Sequence, residues 1–176
     1  KTSSQHFISL MSNLSGRLAR FFSVIGLFFF VVFDSHAEAN YTTNGTEYAI
    51  VGSLAGDQVW PDIALSTNGG VVVWQDNATD GSGWGISARR VNSTLSGESS
   101  PFRVNVEGTN DQQNAKVAIL NNGGAVFVWQ GGALGFQKIY ARFLNPDGTF
   151  ATRDILVGAD TNQPSLQPAV AVLAGG

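Results

Sequence analysis

The apolar positions of this chain recur in two matching stretches with strand-like spacing. Residues 63–75 read Ile-Ala-Leu-Ser-Thr-Asn-Gly-Gly-Val-Val-Val-Trp-Gln, and residues 117–130 read Val-Ala-Ile-Leu-Asn-Asn-Gly-Gly-Ala-Val-Phe-Val-Trp-Gln. Short β-branched and aromatic runs separated by Asn and Gly are typical of strands joined by tight turns. Because no long apolar pattern with a 3.6-residue period follows residue 39, the chain is predicted to be all-β.

Each stretch belongs to a repeat that predicts a small antiparallel sheet. The predicted strands are Asp62–Leu65, Val71–Gln75 and Gly85–Val91 in the first copy, and Lys116–Leu120, Ala125–Gln130 and Lys138–Leu144 in the second. Turns are predicted at Asn68–Gly70 and Asn122–Gly124, since Asn and Gly tolerate the positive φ of short hairpins. A turn such as Asn145–Gly148 leads to a fourth strand.

The repeat boundaries divide the chain into a leader, a linker and three units. The leader covers 1–37, the linker 38–47, the first unit 48–101, the second 102–154, and a truncated third unit 155–176. Four antiparallel strands in roughly 50 residues match the size of one β-propeller blade, so we expect a partial β-propeller. Repeated β-sandwiches or a β-solenoid are the alternatives.

Six recurring residues are the expected structural core of this repeat. They are Trp74, Trp129, Gly69, Gly70, Gly123 and Gly124. A tandem unit of this length cannot bury its faces alone, so further repeats of the same full-length chain are the expected partners.

The leader has the layout of a secretory signal peptide. Arg17 and Arg20 precede an apolar core at 21–33, and small-x-small cleavage sites follow at 35–37 and 37–39. The first Met is Met11, which we take as the start. The core is shorter than the roughly 20 residues of a spanning helix. We therefore expect a secreted or cell-surface protein, with the periplasm as an alternative, and no stable membrane span after cleavage.

Composition excludes several chemistries. The formal net charge is −3, and three of the ten basic residues lie in the leader, so a basic footprint for nucleic acid is absent. Cysteine is absent, and both histidines, His6 and His36, also lie in the leader. The remaining chain therefore lacks the residues for a Ser-His-Asp triad, a Cys-His pair or a His/Cys zinc site.

The loop from Asp76 to Trp84 is the leading candidate for ligand binding. Asp76 and Asp80 alternate with polar residues before a Gly, a pattern similar to calcium loops, although Ala78 interrupts it and no bidentate Glu follows. The second copy, Gly131–Gly135, has no carboxylate. Trp84, between two glycines, is predicted to be exposed and able to stack on a sugar ring.

Other residues give weaker alternatives. The recurring Arg89 and Arg142 could grip a carboxylate or a sugar acid, pair with a neighbouring Asp, or snorkel at a sheet edge. Paired carboxylates could hydrolyse a glycoside, with candidates Asp57, Asp62, Asp111 and Asp160. Further aromatic residues near predicted loops or strand ends are Trp60, Phe136 and Tyr140.

The Gly-Gly to Trp-Gln stretch, followed by Ile-Tyr-Ala-Arg-Phe, resembles a known repeat. It is similar to the Gly-Gly-x-Val-Val-Val-Trp-Gln tandem repeats of large bacterial secreted or cell-surface proteins, which are adhesin-like and occur with calcium-binding modules. The resemblance covers residues 48–176 and implies a propeller-like module of binding or display without catalysis. A carboxylate-based polysaccharide-active enzyme and a structural spacer in a surface fibre are the other functional hypotheses.

Overall fold

A computed structural model describes residues 47, 49–158 and 162–173, which belong to one compact unit, Glu47–Gly176. It contains eight strands: β1 (Gln58–Ser66), β2 (Gly69–Asp76), β3 (Gly85–Asn92), β4 (Phe102–Arg103), β5 (Gln112–Ile119), β6 (Ala125–Gly131), β7 (Lys138–Leu144) and β8 (Ile155–Val157). These residues contain no helix. The predicted signal peptide lies outside the described residues.

The strands form two four-stranded antiparallel sheets, which confirms the all-β prediction. Sheet A has the order β1-β2-β3-β4 and sheet B has the order β5-β6-β7-β8. Each sheet takes three strands from one sequence repeat and its fourth strand from the beginning of the next repeat. Phe102, the first residue of the second predicted unit, pairs with Ala88 in sheet A, and Ile155 pairs with Ala141 in sheet B in the same way.

A bulge interrupts the first strand of each sheet. The register shifts between Val59 and Asp62 in β1 and between Gln113 and Lys116 in β5. Trp60 and Asn114 occupy these bulges with φ values of 53° and 54°, and Gln167, at the corresponding place in the third unit, has a φ of 55°. A bulge bends its strand and interrupts the ladder. The predicted first strands therefore captured only the part beyond each bulge.

Two of the four hairpin glycines have the positive φ that we predicted, Gly69 at 128° and Gly123 at 85°. Ser66 pairs directly with Gly69, so the first turn consists of Thr67 and Asn68, neither of which has a positive φ. A Cβ at Gly69 would overlap the carbonyl oxygen of Val91 on β3. Glycine is therefore needed there for close strand approach. In the second hairpin Gly123 does supply the left-handed residue, with a φ of 85°.

The main core lies between the two sheets and follows the two-residue alternation of the strands. Val71 and Val73 face sheet B, where Phe127 and Trp129 pack against the same cluster. Fully burying side chains of this kind contributes about 1.5–3 kcal/mol each. Trp129, one of the residues expected in the structural core, is only 1% exposed.

The opposite faces of the sheets are covered by segments that lie outside those sheets. Val72 and Trp74 of sheet A pack with Ile50 and Leu54. On sheet B, the outer cluster includes Ala118, Val126 and Val128, against which Val170 and Val172 of the third unit pack. Both sheets therefore repeat one packing scheme along the chain.

Candidate functional site

Asp76 ends β2 and organises the loop that follows it. Its Oδ1 accepts hydrogen bonds from the main-chain N–H groups of Ala78 at 3.0 Å and Thr79 at 2.8 Å, and from the Thr79 hydroxyl. Short polar side chains commonly stabilise turns by bonding to the backbone in this way. The Asp76 side chain is buried, and its Oδ2 has no hydrogen-bond partner.

Asp80 belongs to a separate network centred on a residue that the sequence analysis missed. Its Oδ1 accepts from the Ser82 N–H, and its Oδ2 accepts from Asn105 Nδ2 at 3.1 Å. Asn105 is fully buried and also joins the Ile86 N–H to the Oε1 of Gln112. Asp80 therefore holds the loop to the segment that links the two sheets.

No described contact joins Asp76 and Asp80 as the two halves of a cation site. Within the part of the chain that the structure describes, no group of three or more His, Cys, Asp or Glu side chains is placed to hold a metal ion.

The main chain of Trp84 is held by two hydrogen bonds, and the residue is half-buried, whereas we predicted an exposed indole. Its N–H donates to Asp111 Oδ1 at 3.1 Å, and its carbonyl accepts from the Gln112 N–H at 2.7 Å. The more exposed aromatic residues are Trp60, at 68%, and Phe136, at 64%. These two hydrogen bonds join the end of the loop to Asp111 and Gln112 at the start of β5.

A cavity of about 230 Å³ lies beside Trp74 and Asp76. Leu54 and Ala55 line one side, and the start of β4 lines another. Ser87 donates to the Thr79 hydroxyl, which donates in turn to Asp76, so these two hydroxyls already have partners.

Three buried polar atoms on residues of this cavity have no hydrogen-bond partner. They are the indole Nε1 of Trp74, the Oδ2 of Asp76 and the Nε of Arg103. Leaving such a group unsatisfied costs about 1–3 kcal/mol, and more when the group is charged. These two donors and one carboxylate oxygen are therefore candidate contacts for a ligand in this cavity.

The second repeat carries a matching cavity of about 220 Å³ on Trp129, the counterpart of Trp74. Glu107 and Asp154 are the carboxylates that line it, and neither occupies the position of Asp76. The position of Asp76 is occupied by Gly131, while the position of Pro101, before the fourth strand, is occupied by Asp154. Asp154 also has one unpartnered buried oxygen, Oδ1.

The two cavities also differ next to the indole. Tyr140 replaces the small Ser87, and its ring stacks on Trp129 with centroids 6.1 Å apart. The two cavities are thus chemically distinct versions of one repeated feature.

The side chains of the recurring arginines donate hydrogen bonds to main-chain carbonyls. Arg89 donates to the carbonyls of Ser99 at 2.8 Å and Ile50 at 2.9 Å. Arg142 donates in the same way to Thr152 and Val104. Each arginine therefore joins the segment before the fourth strand of its sheet to a segment that lies earlier in the chain.

Arg142 makes one further contact that Arg89 lacks. Its guanidinium lies 3.6 Å from the centroid of the Phe150 ring, a cation–π geometry. Burial lowers the pKa of Arg142, which the nearby Asp154 partly opposes. At the position of Phe150 the first repeat has Gly97, where a Cβ would overlap the Arg89 guanidinium.

A glutamine at the end of the second strand joins each sheet to the following repeat. Gln75 Oε1 accepts from the Asn114 N–H at 3.0 Å, and Gln130 Oε1 accepts from the Gln167 N–H at 3.0 Å. Both donors have a positive φ, and Asn114 lies in the bulge of β5. The recurrence of Gln after Trp is the sequence signal that could have identified this contact.

The other carboxylates that we considered have structural partners. Asp57 accepts from Asn77 Nδ2, and Asp62 accepts from the Val117 N–H and lies 3.7 Å from the Lys116 ammonium. Asp111 holds Trp84 as described above, and Asp160 lies outside the described residues.

No helix in the described part of the chain is long and apolar enough to span a membrane.

Comparisons with known proteins add no identity: no protein-family model, curated protein or solved structure matches this chain.

Proposed function

We propose that this chain is an exported β-repeat binding module that holds a small hydroxylated ligand, such as a sugar ring, in the cavity beside Trp74. The leader pattern supports export. The resemblance of the repeats to those of bacterial surface proteins supports a role in binding or display outside the cell. The observation that carries the proposal is the group of three unpartnered buried polar atoms around this cavity.

A partial β-propeller is the arrangement that we propose for the repeats. The Gln75 and Gln130 contacts and the Arg89 and Arg142 contacts recur at matching positions, so one geometric relation links each repeat to the next. The bulged first strands come together, since Trp60, Asn114 and Gln167 all line one cavity of about 430 Å³. Innermost strands that meet near a common axis are the expected feature of a propeller.

The chemistry of the three atoms favours a hydroxyl-bearing ligand. A cation would satisfy only Asp76, and an anion would satisfy only the N–H groups of Trp74 and Arg103. A hydroxyl both donates and accepts, so two neighbouring hydroxyls can bond to the carboxylate and to both donors. Leu54 and Phe102 supply apolar wall to the same cavity, as binding sites for small molecules generally do.

Binding is better supported than hydrolysis at this cavity. Glycoside hydrolysis uses two carboxyl groups, separated by about 5–9.5 Å. Asp76 is the one carboxylate among the described residues that line the cavity on Trp74.

Titration calorimetry on the folded protein with a panel of neutral monosaccharides and disaccharides tests the proposal. We expect heat of binding from at least one sugar and a loss of affinity of tenfold or more in Asp76→Asn, because the amide replaces one acceptor oxygen with a donor. Asp147→Asn is the matched control, since this exposed carboxylate lies in the turn after β7. It should leave the affinity unchanged.

Two results would overturn the proposal. One is the absence of heat with every sugar in a protein that still shows a cooperative unfolding transition. The other is equal affinity in Asp76→Asn and Asp147→Asn, which would place any sugar site elsewhere on the molecule.

A further inference from the structure

Residues 49–51 occupy the position of a fourth strand that has no sheet of its own among the described residues. Arg142 reaches from sheet B to Val104, which directly follows β4 of sheet A. Arg89 makes the same bond from sheet A to Ile50. Ile50 therefore stands to sheet A as Val104 stands to sheet B, and the three strands that would precede it in a sheet are not found in the described part of the chain.

The face of sheet A beside this segment leaves apolar side chains uncovered. Ile63 is 43% exposed and Leu65 is 54% exposed. Their counterparts in sheet B, Val117 and Ile119, pack against the core between the sheets, and Val117 is only 6% exposed. On sheet B, these two positions are covered by sheet A. On sheet A, the same two positions are left exposed.

The main-chain N–H in the bulge of β1 also lacks, among the described residues, the glutamine acceptor that its counterparts have. Asn114 and Gln167 each donate their main-chain N–H to the glutamine of the preceding repeat. Trp60 has the same left-handed backbone, and within the described residues no glutamine side chain accepts from its N–H. A non-glycine residue in this conformation costs about 1–3 kcal/mol, so the fold retains the strain at all three positions.

We infer that the uncovered face of sheet A binds another unit of this same repeat, carried later on the same polypeptide, and that residues 49–51 complete that unit as its fourth strand. The incoming unit supplies three strands, with a Gln at the end of its second strand that accepts from the Trp60 N–H. The inference rests on the repeat arrangement in the proposed function, and it is independent of the sugar site. Strand addition of this kind satisfies an open sheet edge through main-chain hydrogen bonds.

A cross-linking experiment can test the strand pairing, because the native chain contains no cysteine. The chain is extended after residue 164 with copies of its own residues 112–164, and the last copy ends at residue 153 so that it lacks a fourth strand. Together with sheets A and B, about two to six added copies give four to eight sheets, which is the number found in known propellers. In sheet B, Tyr140 pairs with Leu156, whose counterpart in the first repeat is Ala49. Ala49→Cys is therefore combined with Tyr140→Cys in the last copy.

We expect a monomeric protein with an intramolecular disulfide at one chain length. The matched control places Tyr140→Cys in the copy before the last, which keeps its own fourth strand and should not form the disulfide. Failure to form the disulfide at every length, or equal cross-linking in the control, would overturn the inference.

A second variant separates docking from folding. Ile63→Asp combined with Leu65→Asp should lower the midpoint of thermal unfolding of the cross-linking length, while it leaves that of the 176-residue chain nearly unchanged. Equal effects on both chains would show that the two residues serve the fold of sheet A alone and would overturn the docking role. Sugar binding, measured separately at Asp76, reports on the proposed function whatever the cross-linking result is.

Discussion

Gln75 and Asn114 form a hydrogen bond between two repeats, 39 positions apart in sequence, in which the amide oxygen of Gln75 accepts from the Asn114 main-chain N–H at 3.0 Å. Gln75 is 4% exposed, so water cannot easily replace it. The bond fixes the bulge of β5 against the end of β2. It repeats between Gln130 and Gln167 at the same distance.

We therefore expect Gln75→Leu to lower the free energy of unfolding by about 1–3 kcal/mol, since an apolar side chain of similar size leaves the Asn114 N–H without a partner. Urea unfolding followed by circular dichroism measures the change. Gln113→Leu is the matched control on the neighbouring half-buried residue, whose side chain makes no hydrogen bond to the described residues. If both variants lose the same stability, the Gln75 bond is not the source of the loss.

Arg142→Lys should destabilise the protein by about 1.5–3 kcal/mol. Lysine keeps the charge, but it cannot bond to Thr152 and Val104 through a fixed planar fork while lying over the Phe150 ring. Thermal unfolding of the variant and of Arg153→Lys, an exposed arginine nearby, tests this expectation. Little change in either protein would mean that the contacts of Arg142 contribute no net stability.

The central strands of each sheet could be predicted from the sequence, while the outer parts could not. The apolar runs that form β2, β3, β6 and β7 match their predicted ranges to within one or two residues. β1 begins four residues before its predicted start, because the Trp60 bulge and Pro61 break the alternation on which the prediction depends.

The candidate site was only partly predictable for a similar reason. Asp76 was identified from its loop, but the cavity also requires Leu54 and Arg103, which the fold brings in from other segments. In the second cavity the buried carboxylate is Asp154, which precedes β8 and so comes from a different segment. A comparison of the two loop sequences alone therefore suggests that the second repeat has no carboxylate at this cavity.

The exposed turn after β7 gives a prediction about pH. Hydrogen bonds from the Thr149 hydroxyl and main-chain N–H lower the pKa of Asp147 below its ordinary value of 3.8. A carboxyl whose pKa is lowered on folding adds stability above its unfolded pKa, and the contribution is lost as the pH falls through the folded pKa. The effect is thus confined to acid, below pH 3.8.

NMR titration of the Asp147 side-chain carbon should give a midpoint below 3.8 that rises in Thr149→Val, because this variant removes the hydroxyl donor and keeps the shape. Thr94→Val, in the turn after β3, is the control for a hydroxyl lost elsewhere and should leave the Asp147 midpoint in place. An unchanged midpoint in Thr149→Val would contradict the role of that hydroxyl.

Trp74 and Trp129 occupy the same position in successive sheets, and both are buried, at 2% and 1% exposure. Replacement of either by Ala should cost about 3–5 kcal/mol, as for other large core side chains. Trp60→Ala is the control for an exposed indole and should change stability by less than about 0.5 kcal/mol. A cost for Trp129→Ala no greater than that for Trp60→Ala would contradict the packing between the sheets.

The two indoles should differ when each is replaced by Phe. The Nε1 of Trp74 is buried without a hydrogen-bond partner, so Trp74→Phe removes an unsatisfied donor together with part of the ring. Trp129 stacks on Tyr140 within the core and loses ring contact when it becomes Phe. Removal of an unpaired buried donor offsets part of the packing that is lost. We therefore expect Trp74→Phe to lower the free energy of unfolding by at least about 1 kcal/mol less than Trp129→Phe, a difference equal to the cost of one unsatisfied group. Urea unfolding of the two variants measures this difference, and equal costs would show that the Trp74 N–H is satisfied in the folded protein.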